Sequence, residues 1–221
     1  MSGQPARAGA LAMLWFLSAL ILLPEALLIG ADLGLWGSPS WRPLAYQWGG
    51  FWAGLWHGWQ PNYPAQPVAM LLLYPQLHAG PWHMLGNLAG LWVVGGAIRR
   101  RCGGAGLALL WVAGAVAGGV VFGLLSRSAA PMVGASGAVF SLVGAWAWFD
   151  AQTCPPGLRR WGRLAGLGFI GIVVNVAMGV LTAGGIAWQT HLGGALAGVA
   201  LASIVFANGR PLAGPPDLGK K

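Results

Sequence analysis

The sequence predicts an all-α membrane protein, a bundle of six transmembrane helices with a membrane-embedded first outer loop. Three observations predict this fold. Of the 221 residues, 57% are hydrophobic and only 7% are charged, whereas an average soluble domain has about a quarter charged residues. The charge-free intervals are long enough for helices of about 20 apolar residues, the length that crosses a bilayer. The basic residues fall in short clusters between these intervals, as topology signals do.

Six intervals are candidates for membrane-spanning helices. The last two share an uncharged interval of 46 residues, from 164 to 209, with a turn predicted at Thr182-Ala183-Gly184-Gly185 because glycine favours turns. The predicted spans are 11–31, 80–98, 104–125, 134–149, 164–181 and 186–207. We therefore expect a membrane domain over 11–207, a cytoplasmic N-terminus over 1–10 and a cytoplasmic tail over 208–221.

The distribution of basic residues predicts the orientation. Six spans place both termini on one side, where ten lysines and arginines then lie, against only Arg42 and Arg127 on the other. The positive-inside rule makes the side with ten cytoplasmic. We expect a multi-pass plasma (inner) membrane protein, prokaryotic by default because the chain is short and carries no targeting extension. Since the net charge of +8 comes from these clusters, we predict the lipid bilayer and not nucleic acid as the partner.

The first outer loop, over 32–79, is unusually aromatic. Six tryptophans fall within 24 of its residues, and indole rings favour the membrane interface. The spacing of four of them predicts a short helix in the headgroup layer with its indoles on one face. These four are Trp48, Trp52, Trp56 and Trp59. A role in anchoring the loop is favoured over direct contact with a substrate.

Few polar groups remain inside the predicted spans, and such groups are candidates for function. Ser136, within Gly134-Ala135-Ser136-Gly137, and His191 fall near the starts of the fourth and sixth spans, at matching depths below the outer surface. A serine hydroxyl becomes a nucleophile when a histidine within hydrogen-bond reach takes its proton. His191, Gly194 and Gly198 share one nearly smooth helix face, and such faces allow helices to touch.

Several further residues support or qualify this interpretation. On the fourth span Gly137 and Gly144 offer a complementary surface, and Phe140, one turn after Ser136, is predicted to pack on the His191 imidazole. Asn175 is expected to form an interhelical hydrogen bond. For Glu25, which lies in the first span, snorkelling or a hydrogen bond to the first loop is favoured over a proton or ion relay.

Three motifs together resemble those of rhomboid proteases. They are Gly-x-Ser-Gly at 134–137, His-x-x-Gly-x-x-x-Gly at 191–198 and His-x-x-x-x-His-x-x-x-Asn at 78–87, and they occur in the order that the family has. The resemblance covers roughly residues 70–207, and the combination is far more specific than any one motif. One feature departs from the family: many members carry a Trp-Arg pair about nine residues before the first of these histidines, where this chain has Ala69-Met70. Its nearest Trp-Arg pair is Trp41-Arg42.

The resemblance implies a rhomboid-like bundle and an intramembrane serine protease that cleaves transmembrane protein substrates in or near their membrane segments. It implies that Ser136 is the nucleophile and His191 its general base, a dyad without a carboxylate. It also implies that His83 and Asn87 form the oxyanion hole with the Ser136 backbone N–H, and that His78 lies near that site. Gly134, Gly137 and Phe140 complete the candidate site. Neither a metal nor an organic cofactor is expected.

Two other functions are compatible with parts of the sequence. A catalytically silent rhomboid-like protein would bind client transmembrane helices without cutting them, although the presence of both Ser136 and His191 argues against it. A small transporter or channel would need a polar path across the whole bilayer, whereas the candidate polar groups cluster at one end.

Overall fold

A computed structural model describes residues 4–181 and 185–205, and most of these residues are helical. The α-helices in this part of the chain are α1 (Gln4–Asp32), α2 (Trp41–Gly49), α3 (Gln66–Leu73), α4 (Pro81–Gly90), α5 (Gly96–Leu125), α6 (Ser136–Ala151), α7 (Leu158–Leu181) and α8 (Trp188–Ile204). Short 3-10 turns lie at Ala53–Trp56 and Tyr74–Gln76, and a π-helical turn at Leu91–Gly95 joins α4 to α5. The all-α prediction is confirmed for the described residues, whose one β-type pairing is an isolated bridge between Phe51 and Met132.

Within the described residues, three stretches are long and apolar enough to cross a membrane: Ala8–Asp32, Pro81–Leu125 and Leu158–Val180. The second has 45 residues, which in a straight helix would extend about 67 Å, twice the thickness of the hydrocarbon core. Gly103, with φ +71°, breaks the helical geometry near its middle, so the stretch divides into two halves of about one span each. These halves match the predicted second and third spans.

The remaining predicted spans are shorter helices at the centre of the bundle. The helices α6 and α8 have 16 and 17 residues, and α6 is mostly buried between its neighbours. Leu142, Ala145 and Phe149 of α6 lie in the main core with Leu110 and Trp111 of α5. The predicted six-span count and the membrane-embedded loop stay predictions. Residues 1–3, residues 182–184 of the turn predicted at 182–185, and residues 206–221, which include the predicted tail at 208–221, lie outside the described residues.

Two helices begin earlier than the sequence predicts. The first begins at Gln4, not at 11, and so includes the charged residue Arg7. Pro5 is tolerated because it falls in the first turn, where the missing N–H of proline costs no helical hydrogen bond. The helix α7 begins at Leu158, six residues before the predicted span, and includes the basic cluster. On this helix Arg163 forms an ion pair with Asp150 of α6 at 2.6 Å. Charge ends a membrane span but does not end a helix, which explains both differences.

The prediction of one helix carrying four indoles on a single face was wrong. Trp48 lies in α2, the chain becomes extended at Gly50, and Trp56 lies in the following 3-10 turn. The indoles turn back onto the loop: the N–H of Trp52 donates to the Tyr46 carbonyl at 2.8 Å and that of Trp56 to the Pro67 carbonyl at 2.9 Å. Spacing alone did not reveal that these rings would satisfy backbone groups of the same loop.

The loop is tied to the rest of the molecule by Arg42. Its guanidinium contacts both carboxylate oxygens of buried Glu25 at 3.0 and 3.1 Å, the Asp32 carboxylate at 2.6 Å and the His78 carbonyl at 2.9 Å. Burial opposes the charge on Arg42, but hydrogen bonds with Glu25, Tyr46 and Asp32 outweigh it and raise the pKa of the guanidinium. The expected bond between Glu25 and the first loop is confirmed, and Arg42 reaches His78 despite its distance in sequence.

Candidate active site

Ser136 is the first residue of α6, and the glycine two residues before it has a conformation that suits no other residue well. Gly134 has φ +121°, in the region that side chains with a Cβ rarely adopt. A methyl group at Gly134 would also lie 2.8 Å from Nε2 of His83. Both facts require glycine here, and the second places the His83 ring directly against the segment that leads into Ser136.

The helices α6 and α8 run parallel in backbone contact, so their starts lie at the same end of the bundle. A methyl group at Gly194 would lie 2.9 Å from the carbonyl carbon of Gly137, and one at Gly198 would lie 2.7 Å from that of Ser141. At Gly144 it would meet the carbonyl carbon of Ala195 at 2.9 Å. The predicted contact between the smooth faces of these two helices is confirmed. Ser136 directly precedes Gly137, the residue that contacts Gly194, and His191 lies one turn before Gly194.

His191, in the first turn of α8, is held by two neighbours from different helices. The ring of Phe140 stacks on the imidazole with centroids 4.2 Å apart and planes only 5° from parallel. The side chain of Asn175 on α7 forms a hydrogen bond with Nδ1 of His191 at 2.5 Å. Both the packing of Phe140 on His191 and the interhelical bond of Asn175 were predicted. The partner of Asn175 was not predicted, and it is the feature of the site that sequence reasoning missed.

His83 and His78 flank the segment before Ser136. The Ala135 N–H donates to Nε2 of His78 at 3.4 Å, and the two histidine rings lie edge to face with centroids 5.2 Å apart. Burial, and secondarily the nearby His83, lowers the pKa of His78 to about 3. This histidine, which lies before α4, is therefore neutral at physiological pH and able to accept the bond.

A hydrogen bond to Nδ1 of His83 shows which of its two ring nitrogens carries the proton. The Ala79 N–H donates to Nδ1 of His83 at 3.4 Å, so Nδ1 is the acceptor and the proton of the neutral ring is on Nε2. That N–H lies on the side of Gly134. Asn87, almost fully buried one turn further along α4, donates one of its two amide protons to the His83 carbonyl at 3.0 Å, which leaves the second available.

Tyr74 supports the same segment and was not singled out from the sequence. Its carbonyl accepts from the Gly134 N–H at 3.0 Å, and its buried hydroxyl donates to the Ala115 carbonyl of α5 at 2.8 Å. A tyrosine within an apolar run needs a partner for its hydroxyl, which was the available signal. Tyr74 thereby links the entry to α6 with α5.

The structure brings the candidate residues to one end of the bundle. Ser136, His83 and His191 all lie in the first turn of a helix, and the His83 ring is near enough to His191 to interact with it electrostatically. Within the described residues, the His191 ring is hydrogen bonded to Asn175 and not to the Ser136 hydroxyl. The arrangement provides a hydroxyl, an imidazole and N–H donors around the start of α6.

Comparisons with known proteins match this part of the chain. The family model for the rhomboid domain matches residues 65–208. RHOMBOID-like protein 1 of Arabidopsis thaliana is 33% identical over 125 residues, which are 57% of this chain and 31% of that protein. Rhomboid protease GluP of Bacillus subtilis (strain 168) is 30% identical over 138 residues, 62% of this chain and 25% of that protein. The match thus spans only a quarter to a third of the length of these relatives.

Proposed function

This chain belongs to the rhomboid family, and from that premise we propose that it is an intramembrane serine protease with a Ser136–His191 dyad. The substrates are transmembrane proteins, cleaved in or near their membrane segments. The name of one relative, rhomboid protease GluP, is consistent with this activity. The motifs at 78–87, 134–137 and 191–198 all lie inside the matched region.

The observation that carries the proposal is the contact between α6 and α8. Phe140 lies one turn after Ser136 on the same face of α6, and residues so spaced have Cβ atoms about 5–6 Å apart. Phe140 stacks on His191 with ring centroids 4.2 Å apart, so Ser136 lies one helical turn from the residue that contacts the imidazole. The hydrogen bond between them is one that forms with substrate bound, because catalytic hydrogen bonds are commonly long in ligand-free enzymes.

In the proposed reaction the Ser136 oxygen attacks the carbonyl carbon of the peptide bond while its proton passes to Nε2 of His191. The carbonyl oxygen becomes negatively charged, and N–H donors near the start of α6 stabilise it. The donors are the Ser136 backbone N–H, Nε2–H of His83 and the free amide proton of Asn87. His191 then gives its proton to the leaving amine as the C–N bond breaks, and water hydrolyses the acyl-enzyme.

The membrane arrangement is part of the same proposal. Six spans would place Ser136 and His191 about one turn below the outer surface, with both termini in the cytoplasm and the protein in a prokaryotic plasma membrane. Substrate helices would enter from the lipid beside α7, whose most apolar window has none of its residues buried. Helical peptide bonds are shielded, so we expect cleavage where the substrate helix is weakened.

The decisive experiment compares wild type with Ser136→Ala and His191→Ala, each reconstituted with a single-span model substrate. We expect wild type to cleave and both variants to lose all detectable cleavage, and a fluorophosphonate probe to label wild type but not Ser136→Ala. Ser203→Ala is the matched control, because that hydroxyl donates to the Ala200 carbonyl on the exposed end of α8, and it should cleave as wild type does.

Two outcomes would refute the dyad. Equal cleavage by wild type and both variants would show that these residues do not carry the reaction. Wild type that neither cleaves nor reacts with the probe, yet binds the substrate helix, would favour the silent client-binding function.

A further inference from the structure

We propose that Asn175 of α7 is a positioning residue that orients His191 of the Ser136–His191 dyad. The inference rests on the proposed function and extends it to a residue outside the motifs. Asn175 and His191 are 16 positions apart and on different helices, and the hydrogen bond at 2.5 Å joins the amide directly to the ring nitrogen that does not face the reaction.

The orientation of the Asn175 amide follows from its second contact. Its Nδ2 donates to the Gly171 carbonyl, one turn earlier on α7, at 2.9 Å. Turning the amide over would place its oxygen against that carbonyl, two acceptors without a proton between them. The Oδ1 atom therefore faces His191, and since a carbonyl oxygen can only accept, Nδ1 of His191 must carry the proton.

This assignment fixes the tautomer of the neutral imidazole. With the proton on Nδ1, the lone pair is on Nε2, the nitrogen that a general base uses to take a proton from serine. In the other tautomer Nε2 would carry a proton and could not accept one. Asn175 thus favours the form of His191 that the proposed reaction requires.

Asn175 and Phe140 restrict the ring in complementary ways. The stacked Phe140 ring, only 5° from parallel, fixes the plane of the imidazole. Stacking alone leaves rotation within that plane free, and the hydrogen bond from Nδ1 removes it. An amide achieves this without a charge, whereas a carboxylate at the same position would be costly within a membrane.

The test uses the 221-residue chain reconstituted in vesicles, with Asn175→Leu, Asn175→Asp and the control Ser203→Ala, whose hydroxyl donates to the Ala200 carbonyl at the far end of α8. Leucine keeps the volume but removes the acceptor. We expect kcat to fall about 10- to 100-fold, a part of the factor that general-base catalysis supplies, with KM within twofold of wild type. Ser203→Ala should match wild type in both constants.

Asn175→Asp restores an acceptor and adds a negative charge. If Asn175 had only a structural role, this charge would leave the pH–rate profile unchanged. We expect Asn175→Asp to recover most of the lost kcat and to move the acid limb of the pH–rate profile upward by about one unit, because a carboxylate stabilises the imidazolium. His83, the titratable group that also bears on His191, is unchanged in both variants and cancels in the comparison.

A second measurement reports on the tautomer without activity. In protein labelled with ¹⁵N-histidine and assigned through His191→Ala, we expect wild type to show His191 with a protonated Nδ1, and Asn175→Leu to show a mixture of tautomers. Asn175→Leu that cleaves within twofold of wild type with an unchanged tautomer would overturn the inference. If Ser136→Ala is inactive in the same assay, that result refutes the role of Asn175 alone, whereas an active Ser136→Ala refutes the dyad.

Discussion

Replacing Gly198 by alanine should separate the two helices that carry the dyad. The added methyl would lie 2.7 Å from the Ser141 carbonyl carbon and 2.9 Å from the Ala145 nitrogen, both of them backbone atoms of α6. Carbon atoms pack at about 3.5–4.0 Å, so α8 must move away by about 1 Å. No change of rotamer relieves this clash, because backbone atoms cannot turn aside.

The displacement should affect both stability and catalysis. Overpacking of this kind costs about 1–3 kcal/mol, which should lower the apparent Tm by several degrees. A shift of about 1 Å between reacting groups costs roughly 100-fold in rate, so cleavage should fall by about that factor in molecules that remain folded. A modest loss of stability together with a large loss of kcat would indicate that His191 has moved away from Ser136.

The assay measures thermal unfolding and substrate cleavage on the same purified protein. Gly166→Ala on α7 is the matched control, since a methyl there meets no atom within 4 Å, and it should be as stable and active as wild type. Cleavage and unfolding of Gly198→Ala indistinguishable from those of the control would refute the close contact of α6 and α8 and, with it, the geometric support for the dyad.

Two further predictions concern the loop and the imidazole. Arg42→Met leaves the buried Glu25 carboxylate without its cation and should destabilise the protein by about 3–5 kcal/mol. In denaturant unfolding, the double variant Arg42→Met/Glu25→Gln should be more stable than the single variant Arg42→Met. The reverse order would contradict a buried ion pair. Phe140→Ala removes the ring stacked on His191 and should lower kcat about 2- to 10-fold, the factor that corresponds to about 0.5–1.5 kcal/mol for an aromatic contact. Phe140→Tyr should keep the activity, and equal loss in both variants would show that stacking is not the cause.

The contact between α6 and α8 could be predicted because it depends on local patterns. Small residues four positions apart mark a helix face on which backbones can touch, whatever the rest of the fold. Gly194 and Gly198 therefore indicated which face of α8 contacts another helix, and His191, on the same face, was expected at that contact. Phe140 followed by the same reasoning from its place one turn after Ser136.

The first loop could not be predicted in the same way because its contacts are not periodic. The Trp52 indole bonds to a carbonyl six residues earlier, and the Trp56 indole to one 11 residues later. Arg42 contacts a carboxylate 17 residues earlier and a carbonyl 36 residues later. No regular spacing in the sequence predicts such pairs, since each contact depends on the path that the chain takes through the loop.

The two histidines of the proposed reaction require opposite tautomers, and each tautomer is favoured by a neighbouring residue whose type the motifs do not specify. For His83 to donate to an oxyanion, Nε2 must carry the proton, and the Ala79 N–H favours this by donating to Nδ1. For His191 to accept a proton, Nε2 must be bare, and Asn175 favours this by accepting from Nδ1. A donor on one ring and an acceptor on the other are fixed before substrate arrives, so the binding of substrate need not reorganise either proton. The side chains of His83 and His191 thus have different chemical roles because Nδ1 accepts from an N–H in His83 and donates to a carbonyl oxygen in His191.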